Sequence, residues 1–199
     1  MAELLVDFIT SLDGYGAAEG WPGFWGLEGP EYLAWLDQLP DRDYTTIMGA
    51  TTYRMMSAMA SQLHAAASEG AEADAMAGIT AAPKVVFSST LDEPLDWANT
   101  RLVRGEAADE VRAMKAAGTS MRTLGSLTLC RGLLTAGLVD RFRVVVFPVI
   151  TGATGSDRIY DGYPDVALSL VESRTFDGRS QLLEYVPTVL DGPPAAGRA

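Results

Sequence analysis

The chain has 199 residues, 48% hydrophobic and 21% charged, the composition of an ordinary globular protein long enough to bury a core without staples. Its net charge of -11, with no basic run or stripe, argues against nucleic acid or an anionic membrane as a partner, so any anionic ligand must be held by local features. One cysteine, Cys130, leaves no internal disulfide, and together with a single histidine, His64, it excludes the usual zinc sets, so no metal site is expected.

The first residues, MAELLVDFITS, carry Glu3 and Asp7 within the apolar stretch and lack a basic leader, so they read as structure rather than as a signal peptide. No apolar run approaches the roughly 18 residues of a membrane span, and a soluble cytoplasmic protein is expected. Residues 4–10 read as a strand. A Gly- and Trp-rich loop follows, and residues 30–39 predict a helix with Pro30 at its first position, Glu31 in its first turn, and Tyr32, Leu33, Leu36 and Leu39 along one face. Residues 44–48 predict a short strand leading through Gly49 into a helix over 51–60. The Ala-rich stretch 61–82 reads as a further helix with a loose connection. Strands follow at 84–88 and 101–104, then a helix over 106–117 with Gly118 just past its end. A short strand stops at Gly125-Ser126 and turns straight into a helix. The next strand, 144–147, is apolar without alternation, as expected of a strand covered on both faces, and Pro148 ends it. Segments 167–176 and 180–186 flank Asp177-Gly178, the strongest hairpin signal in the chain. One domain over 1–189 is expected, with 190–199 a disordered tail.

Strands alternating with helices predict an α/β fold, a mostly parallel sheet with helices on both faces, closed by an antiparallel hairpin at one edge. Ligands on such sheets bind beyond the carboxyl ends of the strands. Three of those ends, IMGATTYR, VVFSSTL and TLGSLTL, carry small or hydroxyl residues at Gly49, Ser88-Ser89 and Gly125-Ser126. Each alone is an ordinary turn or helix cap. Together they describe a cradle of backbone N–H and hydroxyl groups suited to a pyrophosphate and ribose. GYGAAEG, residues 14–20, follows the first strand, but its third glycine is one place late and no helix follows, so it is no Rossmann phosphate loop. His64 and Cys130, in helical surroundings, read as structural residues rather than nucleophiles or bases. Trp21, Phe24 and Trp25 either staple their loop to the core or line a pocket for a flat ligand. Asp13 in SLDG either shapes a turn or serves a site, and Glu31 either favours a helix start or does the same.

SLDG after the first strand, MGATTY after the second, FSST after the third, then LGSLTL before LLTAGLVDRF, FPVITG and the final FDGRSQLLEY resemble the dihydrofolate-reductase-like superfamily. The resemblance is closest to the riboflavin-biosynthesis reductase domain and its stand-alone relatives, and it spans residues 4–187. It implies a three-layer αβα fold around a mixed sheet, NADPH as hydride donor, and a pteridine- or pyrimidine-like heterocycle as substrate. It further implies that Gly49, Thr51, Thr52, Ser88, Ser89, Gly125, Ser126, Leu127 and Thr128 contact the dinucleotide. Asp13 and the loop of Trp21 and Trp25 would lie near the nicotinamide and substrate, with Asp13 and Glu31 the candidate catalytic carboxylates. Family members commonly pair, and a homodimer is expected. Two departures stand out. Ala50 replaces the phosphate-side arginine of the family's MG-R-x-T, which leaves NADH open beside NADPH, and the family's frequent Gly-Gly is Gly125-Ser126. The zinc deaminase half of the bifunctional riboflavin enzyme is absent.

The expected activity is hydride transfer from the nicotinamide to a C=N or C=O of the substrate, with the proton delivered by a carboxylate or an ordered water. The alternatives are a folate or pteridine reductase, for which Glu31 beside Tyr32 offers the pocket carboxylate, and a non-catalytic ligand-binding dimer that kept the fold.

Overall fold

The computed structural model describes residues 2–21, 23, 26–67 and 70–192. Strands β1 (Leu4–Ser11), β3 (Thr45–Gly49), β4 (Lys84–Phe87), β5 (Thr100–Val103), β6 (Met121–Thr123), β7 (Arg141–Phe147), β9 (Val166–Phe176) and β10 (Ser180–Val189) form an eight-stranded sheet in the order β5-β4-β3-β6-β1-β7-β10-β9. Pairs β1·β7, β3·β4, β3·β6 and β4·β5 are parallel, whereas β10 runs antiparallel to β7 and β9. This is the mostly parallel α/β sheet with a terminal hairpin that the alternation of elements predicts. Two short strands, β2 (Tyr15–Ala18) and β8 (Gly155–Arg158), pair separately, so part of the segment read as a loop is extended structure. Helices are α1 (Pro30–Asp37), α2 (Ala50–Ala65), α3 (Ala71–Ala81), α4 (Ala107–Ala116) and α5 (Leu127–Thr135). Among the described residues no helix is long and apolar enough to cross a membrane. The expected tail lies outside the described residues from 193 onward.

Contacts gather the chain into two compact units, one comprising the chain up to Leu4 with Asp41–Cys130, the other Leu5–Pro40 with the chain from Arg131. In the first unit, Met48 of β3 and Val86 of β4 lie under Tyr53 and Met56 of α2, Met76 of α3, and Leu91 and Trp97. The helix expected over 51–60 runs on to Ala65, because Leu63 still packs against this cluster. A buried cation closes α3. Lys84, 1% exposed, sends its ammonium to the carbonyls of Ile79, Thr80 and Ala82 at 2.9, 2.8 and 2.7 Å, with the Trp97 ring 4.8 Å away. Three donors meet three carbonyls at a helix end whose dipole is negative. Burial pushes the Lys84 amine down to about 8, which still leaves the ammonium as the major form at neutral pH.

In the second unit, β7 starts at Arg141, three residues before the apolar run, and the register explains why. Arg143 faces Asp7 across the β1·β7 pair and grips its carboxylate with two bonds of 3.1 and 2.7 Å, so a 3% exposed guanidinium is fully matched. On the same face, where Arg143 also lies 5.2 Å over the Trp35 ring, Tyr32 stands edge-on to Phe147 and Phe176, with centroids 5.5 and 5.7 Å away, and Trp35 lies 5.2 Å from Phe176. The turn between β9 and β10 takes positive φ at both Asp177 (53°) and Gly178 (64°) and is closed by Arg179 N–H on Phe176 O at 2.9 Å, the type I′ geometry that the Asp-Gly pair predicts.

That turn also caps α1, since the Asp177 carboxylate accepts from the N–H groups of Glu31 and Tyr32 at 3.1 and 3.3 Å. Glu31 accepts from Asp177 N–H at 2.6 Å in return, a capping box closed between residues 146 positions apart. Gly29 permits the approach, because a Cβ there would stand 2.1 Å from Asp177 Cγ. The helix ends at Asp37, two residues short of the expected Leu39.

Replacing Lys84 with methionine keeps an unbranched apolar stem and withdraws the ammonium from three carbonyls, of which Thr80 O keeps only a long bond from Asn99 Nδ2. We expect Lys84→Met to lose on the order of 3 kcal/mol of stability in urea unfolding, with little change in the slope. A variant as stable as wild type would show that water takes over those carbonyls.

Candidate active site

Because β3 and β6 are parallel neighbours, their carboxyl ends lie side by side, and Leu124 N–H donates to Ile47 O at 3.0 Å. The chain then turns through two consecutive left-handed residues, Gly125 (φ 52°) and Ser126 (φ 67°), into α5. A left-handed serine costs on the order of 1 kcal/mol, and its side chain offsets that cost. Ser126 Oγ accepts from Gly49 N–H at 2.8 Å and lies 2.9 Å from Thr52 Oγ1 and 3.1 Å from Leu124 O. The single serine proton is directed at Thr52 Oγ1 and Leu124 O, while a lone pair of the same oxygen takes the Gly49 amide. Gly125 is restricted by its φ and by space, as a Cβ there would stand 3.3 Å from Thr52 Oγ1.

The Ser126 hydroxyl therefore holds the two strand-to-helix junctions together. Gly49, the N-cap of α2, is extended (φ -92°, ψ 172°) and brings no side-chain cap, so the first-turn N–H groups of α2 remain available to an anion. Thr51 and Thr128 are exposed in the first turns of α2 and α5, and Leu127 is half-buried. Ser88 caps its own turn, its Oγ accepting from Thr90 and Leu91 N–H at 3.0 and 3.1 Å, while Ser89 stays exposed at the tip. Cys130 is fully buried, and burial pushes its thiol up to about 12, so no thiolate nucleophile is present at neutral pH. His64 is exposed near the end of α2. Among the described residues no cluster of His, Cys, Asp or Glu is arranged to hold a metal.

In the second unit, Asp13 ties the loop after β1 to the loop after β7. Its carboxylate accepts from Ser11 Oγ at 2.6 Å and from the N–H groups of Gly152 at 2.8 Å and Thr151 at 3.2 Å. The Ser11 hydroxyl bond and then the two backbone bonds hold its pKa down at about 2 against the opposing effect of desolvation, so at neutral pH it is an acceptor and not a source of protons. Thr151 and Gly152 belong to FPVITG, a motif that marks the site in the sequence without revealing that its amides face Asp13. Glu31 is exposed, with its carboxylate on Asp177 N–H. Trp21 packs against the cluster of Tyr32, Val145, Phe147, Phe176 and Leu182, which favours the stapling reading for that ring. Phe24 and Trp25 lie outside the described residues.

A mixed sheet of this order, with these junctions at its carboxyl ends, places the chain among α/β proteins of the dihydrofolate-reductase-like fold. The model of one family, the RibD C-terminal domain, matches residues 2–182, and the chain belongs to that family. No curated protein matches it. Among solved structures, a candidate riboflavin biosynthesis protein from Shewanella sp. PV-4 is 19% identical, with a TM-score of 0.67 over 94% of this chain and 99% of that one. A pyrimidine reductase-like protein from Corynebacterium diphtheriae is 14% identical, with a TM-score of 0.62 over 94% of this chain and 92% of that one. The diaminohydroxyphosphoribosylaminopyrimidine deaminase/5-amino-6-(5-phosphoribosylamino)uracil reductase of Thermotoga maritima is 14% identical, with a TM-score of 0.62, and this chain covers 57% of it. At such identities these structures share the fold with this chain.

The Asp13 clamp predicts a pH signature. Its folded pKa, about 2, lies below the ordinary 3.8, so its contribution to stability is present above pH 3.8 and is lost as pH falls toward 2. We expect Asp13→Asn to melt below wild type at pH 7, because an amide NH₂ would face the Gly152 or Thr151 N–H, and the two melting temperatures to converge by pH 2. A constant difference across that range would show that the clamp does not carry the acid dependence.

Proposed function

We propose that this chain is an NAD(P)H-dependent reductase that transfers a hydride to a pyrimidine-like ribosylamino substrate of the kind handled in riboflavin biosynthesis. The observation that carries the reading is the Ser126 joint, two helix N-termini coupled through one hydroxyl in a chain of the RibD C-terminal domain family. The residues fit a dinucleotide. Glycine at 49 leaves the α2 amides uncapped, and Gly125 lets the backbone of the second junction come close. When bound, the coenzyme supplies the hydride.

The chain supplies position and charge. The first-turn amides of α2 and α5 receive the pyrophosphate, with Gly49, Thr51, Thr52, Gly125, Ser126, Leu127 and Thr128 as walls, and Ser88-Ser89 serve the ribose side. Asp13 stays ionised, fixes the 151–152 loop and leaves the proton to come from solvent. The Glu31 carboxylate, on which the folate or pteridine alternative rests, accepts from Asp177 N–H, which favours the first reading.

Ser126→Asp tests the cradle. Aspartate tolerates a positive φ and keeps an oxygen for Gly49 N–H but loses the proton directed at Thr52 Oγ1 and Leu124 O, so the folded protein should melt modestly below wild type. A carboxylate between the two junctions repels pyrophosphate, and affinity for NADPH and NADH alike should fall roughly tenfold to a hundredfold in fluorescence titrations. Unaltered affinity for both, or a wild type whose melting temperature ignores saturating coenzyme, refutes the reading.

A further inference from the structure

Four Asp-Gly pairs occur in the chain, at 13–14, 161–162, 177–178 and 191–192. Aspartate before glycine is prone to a reaction with its own backbone, because glycine has no Cβ to keep its peptide nitrogen from the preceding carboxyl carbon. The nitrogen attacks Cγ, the amide proton and the carboxyl hydroxyl leave as water, and a five-membered succinimide forms. Water then opens the ring at either carbonyl. Opening at Cγ restores aspartate, whereas opening at the main-chain carbonyl leaves isoaspartate, whose backbone runs through Cβ and is one methylene longer. The reaction needs a carboxyl group that is free to protonate and to turn toward the next nitrogen.

The fold withholds that freedom from two of the pairs. The Asp13 carboxylate accepts from Ser11 Oγ and from the N–H groups of Gly152 and Thr151, its pKa is held down at about 2, and Gly14 N–H is engaged by Ser11 O at 3.0 Å. The Asp177 carboxylate is divided between Glu31 and Tyr32 N–H. Bonds to a charged acceptor must break before either can react, and the loss of even one slows the reaction roughly tenfold.

Asp161 is the opposite case. It sits between β8 and β9, its carboxylate is exposed, and its ion pair with Arg158 is a long 4.0 Å. Gly162 takes a positive φ of 74°, and among the described residues its N–H meets no acceptor. Asp191, just past the end of β10, is exposed as well, so Asp191-Gly192 serves as the reference for an unheld pair. The segment around Asp161 differs in leaning on the Asp13 loop. Ile159 N–H donates to Gly14 O at 2.9 Å, and a Cβ on Gly14 would stand 3.0 Å from the Tyr160 ring. On the other side, a Cβ on Gly162 would stand 2.9 Å from Arg131 Cζ. An extra methylene at 161 disturbs both contacts.

We propose that Asp161-Gly162 is a site of spontaneous isoaspartate formation in the folded protein, and that the clamps on Asp13 and Asp177 keep those two pairs intact. The modified chain then loosens the loop that carries Asp13.

The test is to age the full chain for weeks in warm, mildly acidic buffer, both folded and in concentrated urea. Digestion and electron-transfer mass spectrometry then tell isoaspartyl from aspartyl peptides of equal mass. In the folded protein isoaspartate should gather at 161 and 191 at similar rates, at least roughly tenfold ahead of 13 and 177. In urea the four pairs should react alike. Aged wild type should melt below fresh protein, and aged Asp161→Glu should melt as it did when fresh. Isoaspartate at 161 that forms no faster than at 13 and 177 in the folded chain overturns the proposal. The same ranking in urea as in the folded chain also overturns it, because the difference would then lie in the neighbouring residues and not in the clamps.

Discussion

Ser126 Oγ, 2.8 Å from the Gly49 amide and 2.9 Å from Thr52 Oγ1, joins the end of one parallel strand to the end of its neighbour, and the proposed chemistry depends on that joint. Two successive left-handed residues aim the chain into α5, and a serine in that conformation is retained where its hydroxyl has work for both its proton and its lone pairs. The consequence is mechanical before it is chemical. The two helix starts cannot drift apart without stranding a backbone amide, so their dipoles remain fixed in relation to one another. A site that binds an anion without a net positive charge needs that rigidity, because each partial charge is small and only their convergence is effective.

The same device recurs throughout the molecule: a polar side chain from one segment satisfies the backbone of another that is distant in sequence. Asp177 caps α1 from the β9–β10 turn, Asp13 holds the amides of Thr151 and Gly152, and Lys84 closes α3. Each removes a helix end or a loop from the set of places where unpaired N–H or C=O groups would oppose folding. Glu31 and Asp13 flank the Trp-containing loop in sequence, and both accept backbone N–H groups.

Charge follows a similar division. The chain carries a net charge of -11, while Arg54 and Arg104 both reach the 88–91 turn, through Thr90 Oγ1 and Leu91 O. Arg143 shows the contrasting use. It is buried and matched to Asp7 on the adjacent strand, a pairing that lets β7 begin within DRFR instead of at its apolar run.

The sequence by itself determined the order and type of most elements, because hydrophobic period, Pro30 at a helix start, Gly118 at a helix end and Asp177-Gly178 at a turn act over a few residues. It also marked Gly49, Ser88-Ser89 and Gly125-Ser126, since small and hydroxyl residues at strand ends are visible without a partner. Only the tertiary structure decided what those groups touch. Nothing in GYGAAEG announces a strand, because its partner, Gly155–Arg158, lies well over a hundred residues away and supplies the pairing. Nothing around Pro30 announces Asp177 as its helix cap, and nothing around Lys84 announces three waiting carbonyls. The hydroxyl of Ser126 is the clearest case. Its residue type is local information, but its use against Gly49 and Thr52 depends on two parallel strands ending side by side, and no pattern along the chain records that distance.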